Sequence, residues 1–263
     1  MSGHLFSDAG PITLQDYPQA LEQAKQRLWQ AGATRVEPVG TSGLKPVMGD
    51  IDLAVAFPTG RDGLFAALET LFRVKKVGND LVSFELLYRP HHVVQVDCFV
   101  GNVDFIKWSR AGDATPGVKA SARAVLWNVI LTMWTKFESM PAADLERQRW
   151  VLDFGKGLYI ARQTRQGKHK VLKDWKTIES LFVSDDPRAI TTMFFKAQPV
   201  PYSFADLVAC VRTLPGFMPA VIVSQARVEL EALCLKHPGT YGDWAALQRI
   251  LDGEQLLAEH RPV

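Results

Sequence analysis

The chain has 263 residues, a length that accommodates one large domain or two modest ones. Its hydrophobic fraction of 47%, charged fraction of 22% and formal net charge of +2 are those of an ordinary globular protein. No apolar run approaches the length of a membrane span, and the first residues lack the order of a signal peptide, so the sequence predicts a cytoplasmic protein without membrane contact. Three cysteines without paired spacing argue against a disulfide framework or a zinc site.

The first elements in the chain are a helix and two strands. Apolar residues at helical spacing predict a helix over residues 12–33, and a strand follows at residues 35–39. A small polar turn over residues 40–43 leads to a second strand, which begins at Asp50. Because side chains alternate along a strand, Asp50 and Asp52 share one face. The opposite, core-facing side chains are Ile51, Leu53 and Val55.

Two adjacent carboxylates repel each other in water, and a divalent cation is the usual neutralising partner. A helix is predicted over residues 61–72, followed by strands at residues 81–88 and 93–100. Alternation in the last strand places Asp97 opposite its apolar face. If this strand pairs beside the Asp50 strand, three carboxylates converge, and we expect them to hold two Mg²⁺ or Mn²⁺ ions.

A polar turn, an Asp-hydrophobic-Asp strand and a later hydrophobic-Asp-hydrophobic strand occur together over roughly residues 35 to 100. The combination resembles the DNA polymerase beta-type nucleotidyltransferase superfamily. The resemblance implies that Asp50, Asp52 and Asp97 are catalytic metal ligands. It also implies that Gly40 with Thr41 or Ser42 contacts the phosphates of a nucleoside triphosphate such as ATP. The family usually has Gly-Gly or Gly-Ser at this turn, and the hydroxyls and backbone amides of the present turn are suitable phosphate donors.

Basic residues follow the third aspartate. Arg110, Lys119 and Arg123 are candidates for contacting the triphosphate, where cations offset the charge that develops on the transferring group. A surface cation at a helix start explains each of them equally well. The last two belong to a helix predicted over residues 118–137.

The middle of the chain is strongly basic. Residues 114–176 carry 12 lysines and arginines against 5 acidic residues. A hairpin is predicted around residues 155–157, within strands spanning residues 149–163, and the basic stretch Lys156 to Lys176 contains interleaved aromatic residues. Such a stretch can follow a phosphate backbone and stack bases. A solvated basic surface is the alternative.

The remainder of the sequence predicts helices. One begins at Pro187 with Ser184 or Asp185 as its cap, and another spans residues 204–213 with Ser203 as its cap. Residues 214–220 resemble half of a helix-hairpin-helix signature, with Met218 in place of its second glycine. Two further helices are expected on either side of residues 237–239.

We therefore expect an α+β fold with a nucleotidyltransferase-type mixed sheet and flanking helices over residues 1–113, the catalytic domain. A mostly helical substrate-binding or cap region with a basic hairpin is expected over residues 114–263. The predicted reaction is metal-dependent transfer of a nucleoside monophosphate from a nucleoside triphosphate to a hydroxyl, and the basic stretch favours a nucleic acid, RNA or DNA, as acceptor. The alternatives are a small-molecule or protein acceptor, and a catalytically silent binding or structural protein with the same fold.

Overall fold

The chain divides into two compact units. A computed structural model of the protein describes residues 5–40, 46–78, 81–113, 115, 117–138, 146–165 and 175–253. Unit 1 comprises Met1–Gly112 with Phe154–Lys156, and unit 2 comprises Asp113–Asp153 with Gly157–Val263.

Unit 1 is built on a five-stranded mixed sheet. Its elements are β1 (Ile12–Thr13), α1 (Tyr17–Gln30), β2 (Arg35–Pro38), β3 (Val47–Met48), β4 (Asp50–Ala56), α2 (Gly60–Glu69), β5 (Val74–Val77), β6 (Leu81–Arg89), β7 (His92–Val100) and α3 (Val103–Ser109). The strand order is β2-β4-β7-β6-β5, in which β4 and β7 are parallel and the other neighbours are antiparallel. The two strands expected to carry the aspartates are therefore direct neighbours.

The first predicted helix is too long at its start. It begins at Tyr17 rather than at residue 12, because Ile12 and Thr13 pair with Met48 and Val47 in a separate two-stranded sheet. Backbone hydrogen bonds to β3 replace those that a longer helix would have made. The predicted helix over residues 61–72 is confirmed as α2, which ends earlier, at Glu69.

The sheet of unit 1 buries apolar side chains on both faces. Alternate residues of β4 and β7 join α1 and α2 in the larger core, which includes Leu53 and Cys98. Ala54 packs on the other face with Val103 and Ile106 of α3. Because Asp50 and Asp52 alternate in step with Ala54, the carboxylates lie on the α3 face and the large core lies behind them.

The short helix α3 was not predicted from the sequence. Asn102 caps it, and the side-chain oxygen of Asn102 accepts hydrogen bonds from the backbone N–H groups of Asp104 (3.1 Å) and Phe105 (3.3 Å). The cap turns the chain directly out of β7 into a helix that ends at Ser109. This turn brings Arg110 back to the face of the sheet that carries the aspartates.

Unit 2 combines helices with a three-stranded antiparallel sheet. Its elements are α4 (Ala120–Glu138), β8 (Glu146–Asp153), β9 (Gly157–Arg165), β10 (Trp175–Ser184), α5 (Pro187–Phe195), α6 (Phe204–Arg212), α7 (Met218–Lys236) and α8 (Trp244–Asp252). The strand order is β10-β9-β8, so the predicted hairpin is confirmed as β8 and β9. The sequence predictions lacked β10.

Of two helix caps predicted in unit 2, one is confirmed and the other is wrong. Ser203 caps α6 as predicted and forms a capping box with Asp206. The cap of α5 is Asp186, not Ser184 or Asp185, because the Asp186 carboxylate accepts from the Arg188 backbone N–H at 2.9 Å. Among the residues described, no helix is both long enough and apolar enough to cross a bilayer.

Candidate metal centre

The candidate site begins where β4 begins. Asp50 and Asp52 are partly exposed, whereas Ile51 and Leu53 between and after them are completely buried in the larger core. Burial of the apolar residues fixes which face of the strand the carboxylates occupy, because a shift of register by one residue would turn them into the core. The alternation predicted from the sequence is thus the feature that positions two of the three acids.

The third acid comes from the adjacent parallel strand. In the register of β4 and β7, Asp52 lies opposite Asp97 and Asp50 lies opposite Gln95. One carboxylate oxygen from each of Asp50, Asp52 and Asp97 lies within 4.8 Å of the others. The structure therefore brings together the three aspartates that the sequence predicted would converge.

Asp97 is the most buried member of the group, with 8% of its surface exposed. Loss of solvation on burial raises the pKa of Asp97 above its ordinary value, and the side chains of Ser83 and Gln95 and the nearby charge of Arg110 act in the opposite direction. The Gln95 side chain donates a hydrogen bond from Nε2 to Asp97 Oδ1 at 3.0 Å. The carboxylate is thus held in place while its negative charge is only partly compensated.

Gly40 closes the site next to Asp52. Its backbone has φ +68°, a left-handed conformation that favours glycine, and a Cβ atom at this position would lie 2.9 Å from Asp52 Oδ2. The Gly40 N–H donates to the Arg110 carbonyl at 3.1 Å, and the Gly112 N–H donates to the Gly40 carbonyl at 3.2 Å. A larger residue is therefore disfavoured by conformation and would push against the Asp52 carboxylate.

Arg110 supplies positive charge to the same face. Its guanidinium carbon lies 3.6 Å from the centroid of the Phe99 ring, a cation–π contact, and its charge lowers the pKa of Asp97. Phe99 lies on β7 two residues after Asp97, so both side chains point to the same face of the sheet. Of the three predicted triphosphate-binding cations, this one lies with the aspartates.

The structure does not place the other predicted phosphate-binding residues beside the aspartates. Thr41 and Ser42 lie outside the described residues. Lys119 and Arg123 belong to unit 2, where each side chain donates to a backbone carbonyl, of Gly239 and of Tyr202 respectively. Arg123 is 1% exposed, and burial lowers its pKa to about 10. Its described position serves the interior of unit 2, because a side chain this buried has no face open to a ligand.

The basic stretch is described in part. Lys156, Arg162 and Lys176 are placed, and residues 166–174 lie outside the described residues. Arg162 and Lys176 are exposed on the neighbouring strands β9 and β10, and Arg162 lies 3.6 Å from the Glu179 carboxylate. These two cations are therefore accessible from solvent on one sheet.

Gln95 and Phe99 lie beside the aspartates and were not among the site residues predicted from the sequence. The signal for both was present in the sequence, because they lie two positions before and after Asp97 and share its face of β7. Their contacts with Asp97 and Arg110 were not readable, since each depends on the direction of a side chain and on the path of α3.

The donor set suits a hard divalent cation. Carboxylate oxygens are the protein ligands that Mg²⁺ and Mn²⁺ prefer, and these three come from rigid strands rather than from a loop. The buried Asp97 has an unbalanced charge that a cation would offset. The absence of a side chain at Gly40 leaves room at Asp52 Oδ2. The residues present therefore fit a magnesium or manganese centre.

Comparison with known proteins adds no assignment, because no family model and no curated protein matches the chain.

Proposed function

We propose that the chain is a metal-dependent nucleotidyltransferase of the DNA polymerase beta type, with unit 1 as its catalytic unit. The observation that carries this proposal is the convergence of Asp50, Asp52 and Asp97 within 4.8 Å on two adjacent parallel strands. In support, the glycine Gly40 adjoins one carboxylate, and the cation Arg110 acts on another. The reaction transfers a nucleoside monophosphate from a nucleoside triphosphate to a hydroxyl group and releases pyrophosphate.

The three aspartates, Asp50, Asp52 and Asp97, would hold the divalent metal ions. Two divalent ions supply stabilisation of the attacking and leaving oxygens of an in-line displacement. Asp97 would also accept the proton of the acceptor hydroxyl, because a carboxylate at the reacting centre can act as a general base. Pyrophosphate leaves as an anion, so the reaction needs no general acid to protonate it.

Binding of the triphosphate falls to residues around the aspartates. Arg110 places a permanent positive charge beside Asp97, where it offsets negative charge on a phosphate. Its guanidinium group is held against Phe99, so little conformational freedom is lost when a phosphate binds. Gly40 contributes because it has no side chain to crowd Asp52 Oδ2. Thr41 and Ser42 follow directly and are proposed to contact the phosphates.

A nucleic acid is the proposed acceptor. This part of the proposal rests on the excess of lysine and arginine over residues 114–176 and on the exposure of Arg162 and Lys176. Basic side chains at the surface bind the phosphate backbone without sequence preference and release counterions. A small molecule or a protein as acceptor would make no use of this excess.

The test is transfer of label from each nucleoside triphosphate in turn, with Mg²⁺ or Mn²⁺, to separate pools of RNA, DNA and protein. The control is the Asp50→Asn/Asp52→Asn protein, which keeps the shape of both side chains and removes their charge. We expect label in the RNA or DNA pool with the native protein alone. Label in the protein pool alone would identify a protein, rather than a nucleic acid, as the acceptor. Failure of the folded native protein to bind Mn²⁺ or any triphosphate would refute the enzyme proposal.

A further inference from the structure

The first described residues of the chain form a segment that packs against the sheet of unit 1. In this N-terminal segment, defined as Leu5–Pro11, the Phe6 side chain is completely buried. The charged ends of Arg73 and Lys75 lie 5.4 Å and 5.0 Å from the centroid of its ring. Further along, the Gly10 N–H donates to the Val93 carbonyl of β7 at 2.9 Å. The segment therefore has an apolar anchor and a backbone anchor on the sheet.

The Gln95 side chain connects this segment to the metal centre. Gln95 is 2% exposed, and its two amide atoms have different partners. Oε1 accepts from the Leu5 backbone N–H at 2.8 Å, and Nε2 donates to Asp97 Oδ1 at 3.0 Å. A backbone N–H can only donate and an ionised carboxylate can only accept, so these partners fix which way the amide is turned. A flip of the amide would break both hydrogen bonds.

Gln95 lies beside two of the three carboxylates. It lies opposite Asp50 in the register of β4 and β7, and it precedes Asp97 by two residues on the same face. It thus adjoins two of the three carboxylates while hydrogen-bonding one of them. A buried amide with a partner on each side is costly to disturb, because any atom left without its partner loses the free energy of a hydrogen bond and remains unsolvated.

We propose that Gln95 is a positioning residue that orients the Asp97 carboxylate and makes the metal centre depend on the docked N-terminal segment. The inference rests on the proposed function in one respect, namely that Asp97 is a metal ligand. Hydrogen-bond partners of metal ligands fix the orientation of those ligands, and their loss typically weakens metal binding by about 10- to 100-fold. Docking of Phe6 and Gly10 would then hold Leu5 where its N–H fixes the Gln95 amide.

The first test is Mn²⁺ titration of the full-length Gln95→Met protein, followed by electron paramagnetic resonance. Methionine keeps the length and volume of the side chain and removes both hydrogen bonds. The matched control is Gln163→Met, since Gln163 is also buried at 8% exposure and its Nε2 donates to Thr177 Oγ1 at 3.2 Å in unit 2. We expect at least a tenfold loss of Mn²⁺ affinity in Gln95→Met and no loss in the control. Equal affinities in all three proteins would overturn the inference while leaving the proposed function intact.

The second test asks whether the N-terminal segment acts through Gln95. Phe6→Ala removes the apolar anchor and should weaken Mn²⁺ binding in the native background. In a Gln95→Met background the same change should have no further effect, because the hydrogen bond that carries it is already lost. Effects that add in full would show that the segment does not act through this amide and would overturn the coupling.

A measurement without metal completes the test. In the metal-free Gln95→Met protein, the Leu5 N–H loses its acceptor, so its hydrogen exchange should accelerate while that of Gly10 changes less. Unchanged exchange at Leu5 would contradict the proposed contact. If the native protein binds no Mn²⁺ although Leu5 is protected, the proposed function fails and the role of Gln95 at a metal centre fails with it.

Discussion

Two constraints act on Gly40, its left-handed backbone conformation and its closeness to the Asp52 carboxylate. Substitutions can separate their effects. Gly60 has nearly the same φ, +67° against +68°, but a Cβ there would have nothing within 4 Å. We predict that Gly40→Ala and Gly60→Ala each lower the free energy of unfolding by about 1–2 kcal/mol through backbone strain. Only Gly40→Ala should also weaken Mn²⁺ binding, because its methyl group would push against Asp52. Denaturant unfolding and Mn²⁺ titration of both proteins make the comparison, and equal Mn²⁺ affinities would remove Gly40 from the centre.

A second prediction concerns the charge of Asp97. Burial raises the pKa of Asp97, so the folded protein holds the proton more tightly than the unfolded chain does. The native state is therefore destabilised when Asp97 ionises, as pH rises through its folded-state pKa. Below the ordinary pKa of 3.8 this destabilisation is absent. With a chelator present, Asp97→Asn should raise the melting temperature at pH 7, and the difference should shrink as pH approaches 4.

The control for this prediction is Asp62→Asn. Asp62 is exposed, and the hydrogen bond from Lys76 holds its pKa below the ordinary value. Its ionised form is therefore the one the folded protein favours, and its replacement should not raise the melting temperature at pH 7. A loss of stability in Asp97→Asn at pH 7 would show that the buried carboxylate is compensated by its neighbours.

Proximity in sequence to Asp97 does not decide which cations reach the aspartates. Arg110 and Arg123 both follow the third aspartate closely, and the sequence treats them alike. The structure separates them: Arg110 reaches the aspartates from the end of α3, whereas Arg123 is buried in unit 2 beside the Tyr202 carbonyl. Which face of a helix a cation occupies depends on tertiary packing, and apolar periodicity around Arg123 did not reveal that its own side chain would be buried.

At the scale of elements, the two strands that carry the aspartates were the most predictable part of the fold. Ile51, Leu53 and Val55 of β4 and Val94, Val96, Cys98 and Val100 of β7 alternate toward the larger core, and a register shift of one residue would turn the aspartates into it. The strand β10 was missed because most of its described side chains are exposed, including Ile178, Leu181 and Phe182. An edge strand exposed on both faces has no buried side to impose alternation on its sequence. The fold class is the mixed α+β arrangement that the sequence predicted.

The helix α3 yields a prediction at this scale. Because it has only 7 residues, loss of the Asn102 cap should destabilise the whole helix and displace Arg110 at its end. We expect Asn102→Ala to lower the free energy of unfolding by about 1 kcal/mol and to weaken triphosphate binding. Ser203→Ala, at the cap of α6 in unit 2, should cost a similar free energy without affecting the triphosphate. Fluorescence titration with a labelled triphosphate and urea unfolding test both, and unchanged triphosphate affinity in Asn102→Ala would separate Arg110 from the triphosphate.

At the scale of the whole molecule, charge is unevenly distributed although its sum is small. The formal net charge is +2, yet residues 114–176 have more than twice as many cations as acids. We predict that nucleic-acid binding weakens steeply with salt, and that Arg162→Gln/Lys176→Gln lowers the slope of log affinity against log salt by about 1 for each phosphate that is no longer neutralised. Lys25→Gln/Arg27→Gln on α1 is the charge-matched control. Absence of binding even at low salt would favour a small molecule or a protein as acceptor.

The parallel pairing of β4 with β7 has a consequence for the order of folding. Between these strands the chain passes through α2, β5 and β6, so Asp52 and Asp97 meet only after a long loop has closed. Closing this loop costs entropy before the pairing is formed, and a folding transition state that lacks the pairing also lacks the metal site. We therefore expect Mn²⁺ to leave the refolding rate unchanged and to slow unfolding, because it stabilises the native state alone. Stopped-flow unfolding and refolding with and without Mn²⁺ would reveal this asymmetry, and faster refolding with Mn²⁺ would place the pairing of the two strands early instead.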